Sequence, residues 1–306
     1  MAFSVNTNAG AMAALQSLNA TNRSMETTQS RITTGLNVAS TKDDSAKYTV
    51  AQTLRGDLGK LGAVTSSLNN AKSVTDVAIA GAEQISDLVN QMKSKALEAS
   101  DAGLDQESRK AISNDLVALK KQINTVIEGS NFNGTNLLKG TAAVGGTTPV
   151  AATGDKVSAL QSIGGGDTLT IGNQALSEAA GTAFGASGTD ADITNLALAD
   201  DSTTTATAAA TGSGAAKTLG AKLDTFFDKV KTSLSELGAG SRQIDGQLAF
   251  NSNLSDVVTS GIGNLVDADL AKESASLQAL QVQQQLGVQA LSIANQAPQT
   301  LLSLFR

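Results

Sequence analysis

A polypeptide without histidine or cysteine has few routes to covalent chemistry, and this 306-residue chain contains neither. The missing imidazoles remove the commonest general base and metal ligand, and with them any Ser-His-Asp or HExxH arrangement. The missing thiols remove a disulfide framework and thiolate nucleophiles. Carboxylate chemistry remains, yet among 28 acidic residues no pair stands out as a general acid and base. The expectation is a non-enzyme with no cofactor, and no catalytic, cofactor-binding or metal-ligating residue is assigned.

The unusual residues are the uncharged ones. From Ser274 through Phe305 the chain has no charged side chain, and from Met1 none appears before Arg23. Eight Gln interrupt every apolar run of the C-terminal stretch, whereas a membrane span needs about 20 predominantly apolar residues. The N-terminal stretch lacks the basic start and apolar run of a secretory signal. Both ends therefore read as amphipathic, with no membrane insertion.

Charge elsewhere is uneven. Residues 141–216 hold seven acids (Asp155, Asp167, Glu178, Asp190, Asp192, Asp200 and Asp201) against Lys156 alone, which accounts for the whole net charge of −6. The remainder is neutral, so no segment builds the basic stripe that nucleic-acid binding requires. Tyr48 and seven Phe are the only aromatics, and small and aliphatic side chains must do the packing.

Those side chains recur at helical spacing. Leu15, Leu18, Asn22, Met25, Gln29 and Ile32 step by three and four, which keeps them on one helix face. A second stripe runs through Leu54, Leu58, Leu61, Thr65, Leu68, Ala71, Thr75, Ala78, Ala82, Ile85, Val89, Met92 and Ala96. A third joins Ile112, Leu116, Leu119, Ile123 and Val126, and a fourth runs from Leu219 through Phe226, Leu237, Ile244 and Leu248 to Leu265. Stripes this long suit coiled-coil packing better than globular helices. Thr65, Thr75, Ser241, Asn251 and Ser255 intrude on the seams, either bonding locally or setting register. In the last helix Leu270, Leu277, Leu291 and Phe305 make one line, Leu280, Ala294 and Leu301 a second, and Val282, Leu286 and Ile293 a third. A helix apolar over so much of its circumference needs several neighbours.

Residues 141–216 change to Gly, Ala, Thr and Ser with short alternating pieces such as Thr168 to Ile171, which favours strands and turns in a small, weakly packed insert. Solvated decoration and specific binding are equally open for it. Two connectors separate the stripes. In "RITTGLNVASTKDDSAKY", Gly35 suits a helix C-cap, and Ser40 or Thr41 followed by Asp43 and Asp44 suits an N-cap with acids in the first turn. In "NFNGTNLLKG", Asn133-Gly134 signals a turn before an apolar pair. Ordinary helix punctuation explains both.

The same segments carry a resemblance. "RITTGLNVASTKDDSA" resembles the flagellin pattern R-L-S-S-G-L-R-I-N-S-A-x-D-D-A-A, and Asn6 to Asn8, "NFNGTNLL" and "ANQAPQTLLSLFR" are similar to other bacterial flagellin signatures. The resemblance covers residues 1–140 and 217–306. It implies a mainly α fold, a long antiparallel helical coiled-coil rod formed by both chain halves with a small β-rich central insert. Residues 1–42 and 266–306 would form the terminal coil of the filament's inner tube. Residues 43–140 and 217–265 would form the rod with a short β-turn segment, and 141–216 the variable outward-facing insert.

The implied function is a structural subunit that self-assembles into the extracellular flagellar filament for swimming, exported by the type III route. Its expected partners are itself, an export chaperone, the filament cap and hook-associated proteins. On this reading inter-subunit packing falls to Leu15, Leu18, Met25, Ile32, Leu277, Leu280, Leu286, Leu291, Ile293, Leu301, Leu302 and Phe305. Gly35, Lys42, Asp43 and Asp44 connect terminal coil to rod. Rod packing falls to Leu54, Leu61, Leu68, Ile85, Met92, Leu116, Ile123, Leu237, Ile244 and Leu248.

One segment departs from the family. "ISDLVNQMKSKALEAS" is similar to I-S-D-I-L-Q-R-M-R-E-L-A-V-Q-A-S, part of which vertebrate innate receptors recognise, but Gln91, Lys93, Ser94 and Lys95 stand where the pattern has Arg, Arg, Glu and Leu. Losing planar Arg forks and an apolar contact predicts weak receptor engagement. A hook–filament junction protein is the alternative function. An enzymatic insert would need a polar constellation, and a membrane-active translocator an apolar span, that this chain lacks.

Overall fold

The computed structural model describes residues 8–140, 155–184, 191–197 and 211–304. The chain is mainly helical: α1 (Ala9–Thr34), α2 (Ser45–Ala99), α3 (Gln106–Gly129), α4 (Leu176–Phe184), the single turn α5 (Ala191–Thr194), α6 (Gly212–Val266) and α7 (Leu270–Leu304). Two four-residue strands, β1 (Val157–Leu160) and β2 (Thr168–Ile171), pair antiparallel with Val157 opposite Ile171 and Leu160 opposite Thr168. The α2 and α6 helices each run 55 residues. The sequence stripe for α2 began only at Leu54, because Val50, an exposed residue, is the one large aliphatic side chain between Ser45 and Thr53; Asp44 extends the helix by accepting the N–H groups of Ala46 and Lys47. Asp44, rather than Ser40 or Thr41, therefore caps α2. Gly35 ends α1 in the left-handed region with φ 71°, its N–H donating to the Arg31 carbonyl, as the C-cap reading required.

The chain forms two compact units, residues 1–59 with 254–306 and residues 60–253. In the second unit one continuous core runs along the stripes. Leu61, Leu68, Ile85, Met92, Leu116, Ile123, Leu237 and Ile244 are buried, and Leu248 is half-buried. The α2 and α6 segments of this unit are antiparallel: Thr65 meets Asn251, Lys72 meets Asp245 and Lys93 meets Asp224, one number rising as the other falls. The described central residues join this core. Val157, Ala159, Leu169, Ile171, Leu176, Ala180, Ile193 and Leu196 are buried in it, so the described part of the expected weakly packed insert is well packed. The sheet lies where the alternation placed it, while α4, built from small residues in "LSEAAGTAF", gave no stripe to read.

Asparagines tie this region together. Asn136 is buried; its side chain donates to the Ile127 carbonyl and accepts the N–H groups of Leu138 and Lys139. The Asn173 amide donates to the carbonyls of Asn136, Lys139 and Asp155 at 2.9–3.1 Å. Gly81 lets the segment approach α2, since a Cβ there would lie 2.1 Å from Ser130 Oγ.

Candidate functional site

In the first unit the physical situation is reversed. The α1 and α7 helices pair antiparallel through polar ties: Asn8 Nδ2 donates to the Ala294 carbonyl at 2.7 Å, Gln284 Nε2 to Asn22 Oδ1 at 2.8 Å, and Arg31 faces Glu273 at 3.3 Å. Gly287 permits close approach, for a Cβ there would sit 3.3 Å from Leu18. The only buried residues of α1 are Thr21 and Thr28, and no residue of α7 from Leu270 through Gln296 is buried. The large apolar side chains remain outside: Met12, Leu15, Leu270, Val282, Leu286, Val288 and Ile293 are 48–69% exposed. A two-helix pair has one seam, and α7 is apolar on more than one face.

The uncovered surface is energetically large. Fully burying such a side chain is worth about 1.5–3 kcal/mol, so half of that over these seven residues is on the order of 5–10 kcal/mol. Among the residues expected to pack between subunits, Leu18, Met25, Ile32, Leu277, Leu280 and Leu291 are half-buried, while Leu15, Leu286 and Ile293 are exposed. The Leu301 and Leu302 side chains and all of Phe305 lie outside the described residues.

The connector is held by charge and hydrogen bonds. Asp43 Oδ2 accepts the N–H groups of Ala39 and Ser40 at 3.2 and 2.9 Å and the Ser40 hydroxyl at 3.1 Å. The Ser40 backbone N–H, then its hydroxyl, hold the Asp43 carboxyl below the usual carboxylate value. Lys42 is exposed and Asp44 half-exposed. A short bridge pairs Leu36 with Asp267, the N–H groups of Asn37 and Val38 donate to the Val266 carbonyl, and Val38, Ala51 and Val266 form a small core with Tyr48 against it. Leu54 is half-buried. An open depression at Asp256, Thr259, Gly263, Asp267 and Asp269 is mostly polar, unlike a cofactor pocket.

The departing segment lies in the second unit. Gln91 and Ser94 are exposed; Lys93 pairs with Asp224 and stands 4.8 Å from the Phe227 ring centroid; Lys95 reaches Asp115 at 3.1 Å. Sequence reasoning missed the buried Arg109, whose guanidinium donates to the Asp101 carbonyl after α2, and the Asn136–Asn173 pair. Arg109 falls three residues before Ile112 and so extends the apolar stripe of α3 toward its N-terminus, which is the signal that could have marked it. Among the described residues there is no cluster of metal-ligating side chains and no helix long and apolar enough to cross a membrane.

Residues 5–143 match the bacterial flagellin N-terminal helical region and residues 221–305 the bacterial flagellin C-terminal helical region. The chain is 40% identical over 303 residues to flagellin FljK and 39% identical over 303 residues to flagellin FljM, both of Caulobacter vibrioides, covering 99% of this chain and 98% of each relative. A solved structure assigned to the flagellar hook-associated proteins, from Vibrio parahaemolyticus, matches in fold with a TM-score of 0.56 at 14% identity, covering 74% of this chain and 100% of that one.

Proposed function

Because this chain belongs to the bacterial flagellin family, we propose that the exposed apolar faces of α1 and α7 are the surfaces by which it polymerises as the structural subunit of a flagellar filament. The observation that carries this reading is the contrast within one chain: a continuous core in residues 60–253 and no buried apolar side chain in α1 or in the described side chains of α7. Burial there is non-directional and proportional to area, so neighbouring copies can satisfy several faces of α7 together. Contacts that repeat head-to-tail without closing generate a helix of subunits. Residues 1–42 and 266–306 then form the inner tube, 43–140 and 217–265 the surrounding rod, and 141–216 the outward side. Family membership supports export to the cell exterior by the type III route, with a chaperone, the filament cap and hook-associated proteins as partners.

The test is seeded polymerisation. Monomer in sulfate or phosphate, which strengthens apolar burial, is mixed with filament fragments and imaged by electron microscopy. Long tubes incorporating the protein are expected. Persistent monomers beside competent seeds would replace the filament reading with that of a junction protein that adds once and stops.

The receptor segment supports a second proposal. With Gln91 exposed and Lys93 engaged by Asp224 and Phe227, no planar guanidinium stands at either position, and Lys95, engaged by Asp115, puts a charge where the pattern has an apolar contact; stimulation of the flagellin-sensing Toll-like receptor is expected to be weak. A response equal to that of an enteric-type flagellin would overturn it.

A further inference from the structure

Asn133-Gly134 is the only Asn-Gly pair in the sequence, and it occupies a two-residue hairpin. Phe132 and Thr135 exchange both backbone hydrogen bonds, at 3.1 and 3.0 Å, around Asn133 at φ 51° and Gly134 at φ 84°. Both central residues at positive φ make the primed turn that Asn-Gly favours. Asn133 and Gly134 are exposed to water. The Gly134 N–H is not free, however: it donates to Asn131 Oδ1 at 3.0 Å.

We propose that Asn133 is a latent deamidation site that this turn holds closed, opened whenever the hairpin unpairs. The reaction needs the Gly134 backbone nitrogen, deprotonated by hydroxide, to attack Asn133 Cγ. A C–N bond forms, the side-chain amide leaves as ammonia, and a five-membered succinimide links the two residues. Water then opens the ring at the side-chain carbonyl to give aspartate, or at the backbone carbonyl to give isoaspartate. The net change is one water consumed and one ammonia released.

Glycine leaves the attacking nitrogen unhindered in an open chain. In the hairpin that nitrogen keeps its proton in the bond to Asn131, and the paired bonds on either side resist the backbone rotation that brings it against Cγ. Reaction therefore proceeds through local opening. The isoaspartate product inserts an extra methylene into the backbone between Phe132 and Thr135, so their paired bonds cannot reform in register. Asn136 follows directly, and its buried side chain holds the N–H groups of Leu138 and Lys139. Deamidation is thus expected to loosen the segment from residue 131 to residue 140, well beyond the exposed turn.

The experiment incubates the full-length chain at mildly alkaline pH, folded and in urea, and follows the peptide containing Asn133 by mass spectrometry. Isoaspartate is read by enzymatic methylation. Deamidation, a gain of about 1 Da, is expected in urea and roughly tenfold or more slower in the folded chain. Asn131→Ala, at an exposed position, should raise the folded rate several-fold, and Asn133→Gly, which suits positive φ, should abolish the reaction in that peptide. In the isoaspartate form the Leu138 and Lys139 amides should exchange hydrogen faster. Equal rates folded and unfolded, or an unchanged folded rate in Asn131→Ala, would overturn the proposal.

Discussion

Gly81→Ala should destabilise residues 60–253 although alanine is the better helix former. The substitution removes backbone freedom from the unfolded chain and on an open helix face is worth about 1 kcal/mol of stabilisation. At Gly81 the face is closed. A Cβ there would lie 2.1 Å from Ser130 Oγ, 3.1 Å from Ser130 Cβ and 3.0 Å from Leu138 Cδ1. Ser130 is buried and its hydroxyl donates to the Val126 carbonyl at 2.7 Å. Displacing it forfeits that bond, about 1 kcal/mol, and overpacks the site at a cost of about 1–3 kcal/mol. The balance is a net loss of about 1–3 kcal/mol, which moves a urea midpoint down by roughly 0.3–1.5 M at a slope of about 2–3 kcal/mol/M.

The assay is urea unfolding followed by far-UV circular dichroism, with Gly220→Ala as the counterpart. Gly220 lies inside α6 with nothing near its missing Cβ, and its midpoint should rise by the equivalent of about 0.5–1 kcal/mol. Pairing Gly81→Ala with Ser130→Gly removes both serine contacts and leaves only the flexible end of Leu138, so most of the stability should return. If Gly81→Ala stabilises as Gly220→Ala does, the close packing of residues 130–138 on α2 is refuted.

Acid should weaken the connector and the α3 start. The Asp43 carboxyl is held below its ordinary value of 3.8 by the Ser40 N–H and hydroxyl, and Asp105, the N-cap of α3, by its bond to Ser108. A depressed folded value means stability present above 3.8 and lost as pH falls through the lower folded value; fluorescence of Tyr48, the only tyrosine, reads the connector, and an unchanged acid midpoint in Asp43→Asn would count against the argument. Leu286→Lys, at a position 58% exposed in the monomer, should leave helicity and monomer stability within about 0.5 kcal/mol while abolishing seeded polymerisation; normal tubes would remove α7 from the contact. Asn251→Leu replaces a buried amide 3.4 Å from Thr65 Oγ1, a hydroxyl that keeps its bond to the Leu61 carbonyl. It should raise the urea midpoint and lock filament shape or impair assembly, and unchanged waveform with unchanged assembly would count against a register role.

What could be read from sequence, and what could not, follows from how each feature earns its place. Long helices bury a periodic stripe, and periodicity survives in one dimension: Leu68, Ile85, Met92, Leu116 and Ile244 were legible because each repeats its neighbours' spacing and each is buried. The uncovered faces of α1 and α7 were legible by the opposite sign, an apolar circumference too wide for one partner. Features made by two distant segments meeting leave no such trace. Gly81 is one of 29 glycines, and nothing local distinguishes it from Gly220; only the arrival of Ser130 and Leu138 does. Asn136 and Asn173 look like loop residues until the carbonyls they satisfy are brought within hydrogen-bond distance. The cap at Asp44 was ambiguous for a related reason. Ser40, Thr41, Asp43 and Asp44 can each accept an N–H, and the choice falls to Asp44 because Asp43 is occupied in holding Ala39 and Ser40. A single chain therefore encodes its helices locally, its joints through long-range polar contacts, and its terminal helices by an apolar excess that the monomer leaves unburied.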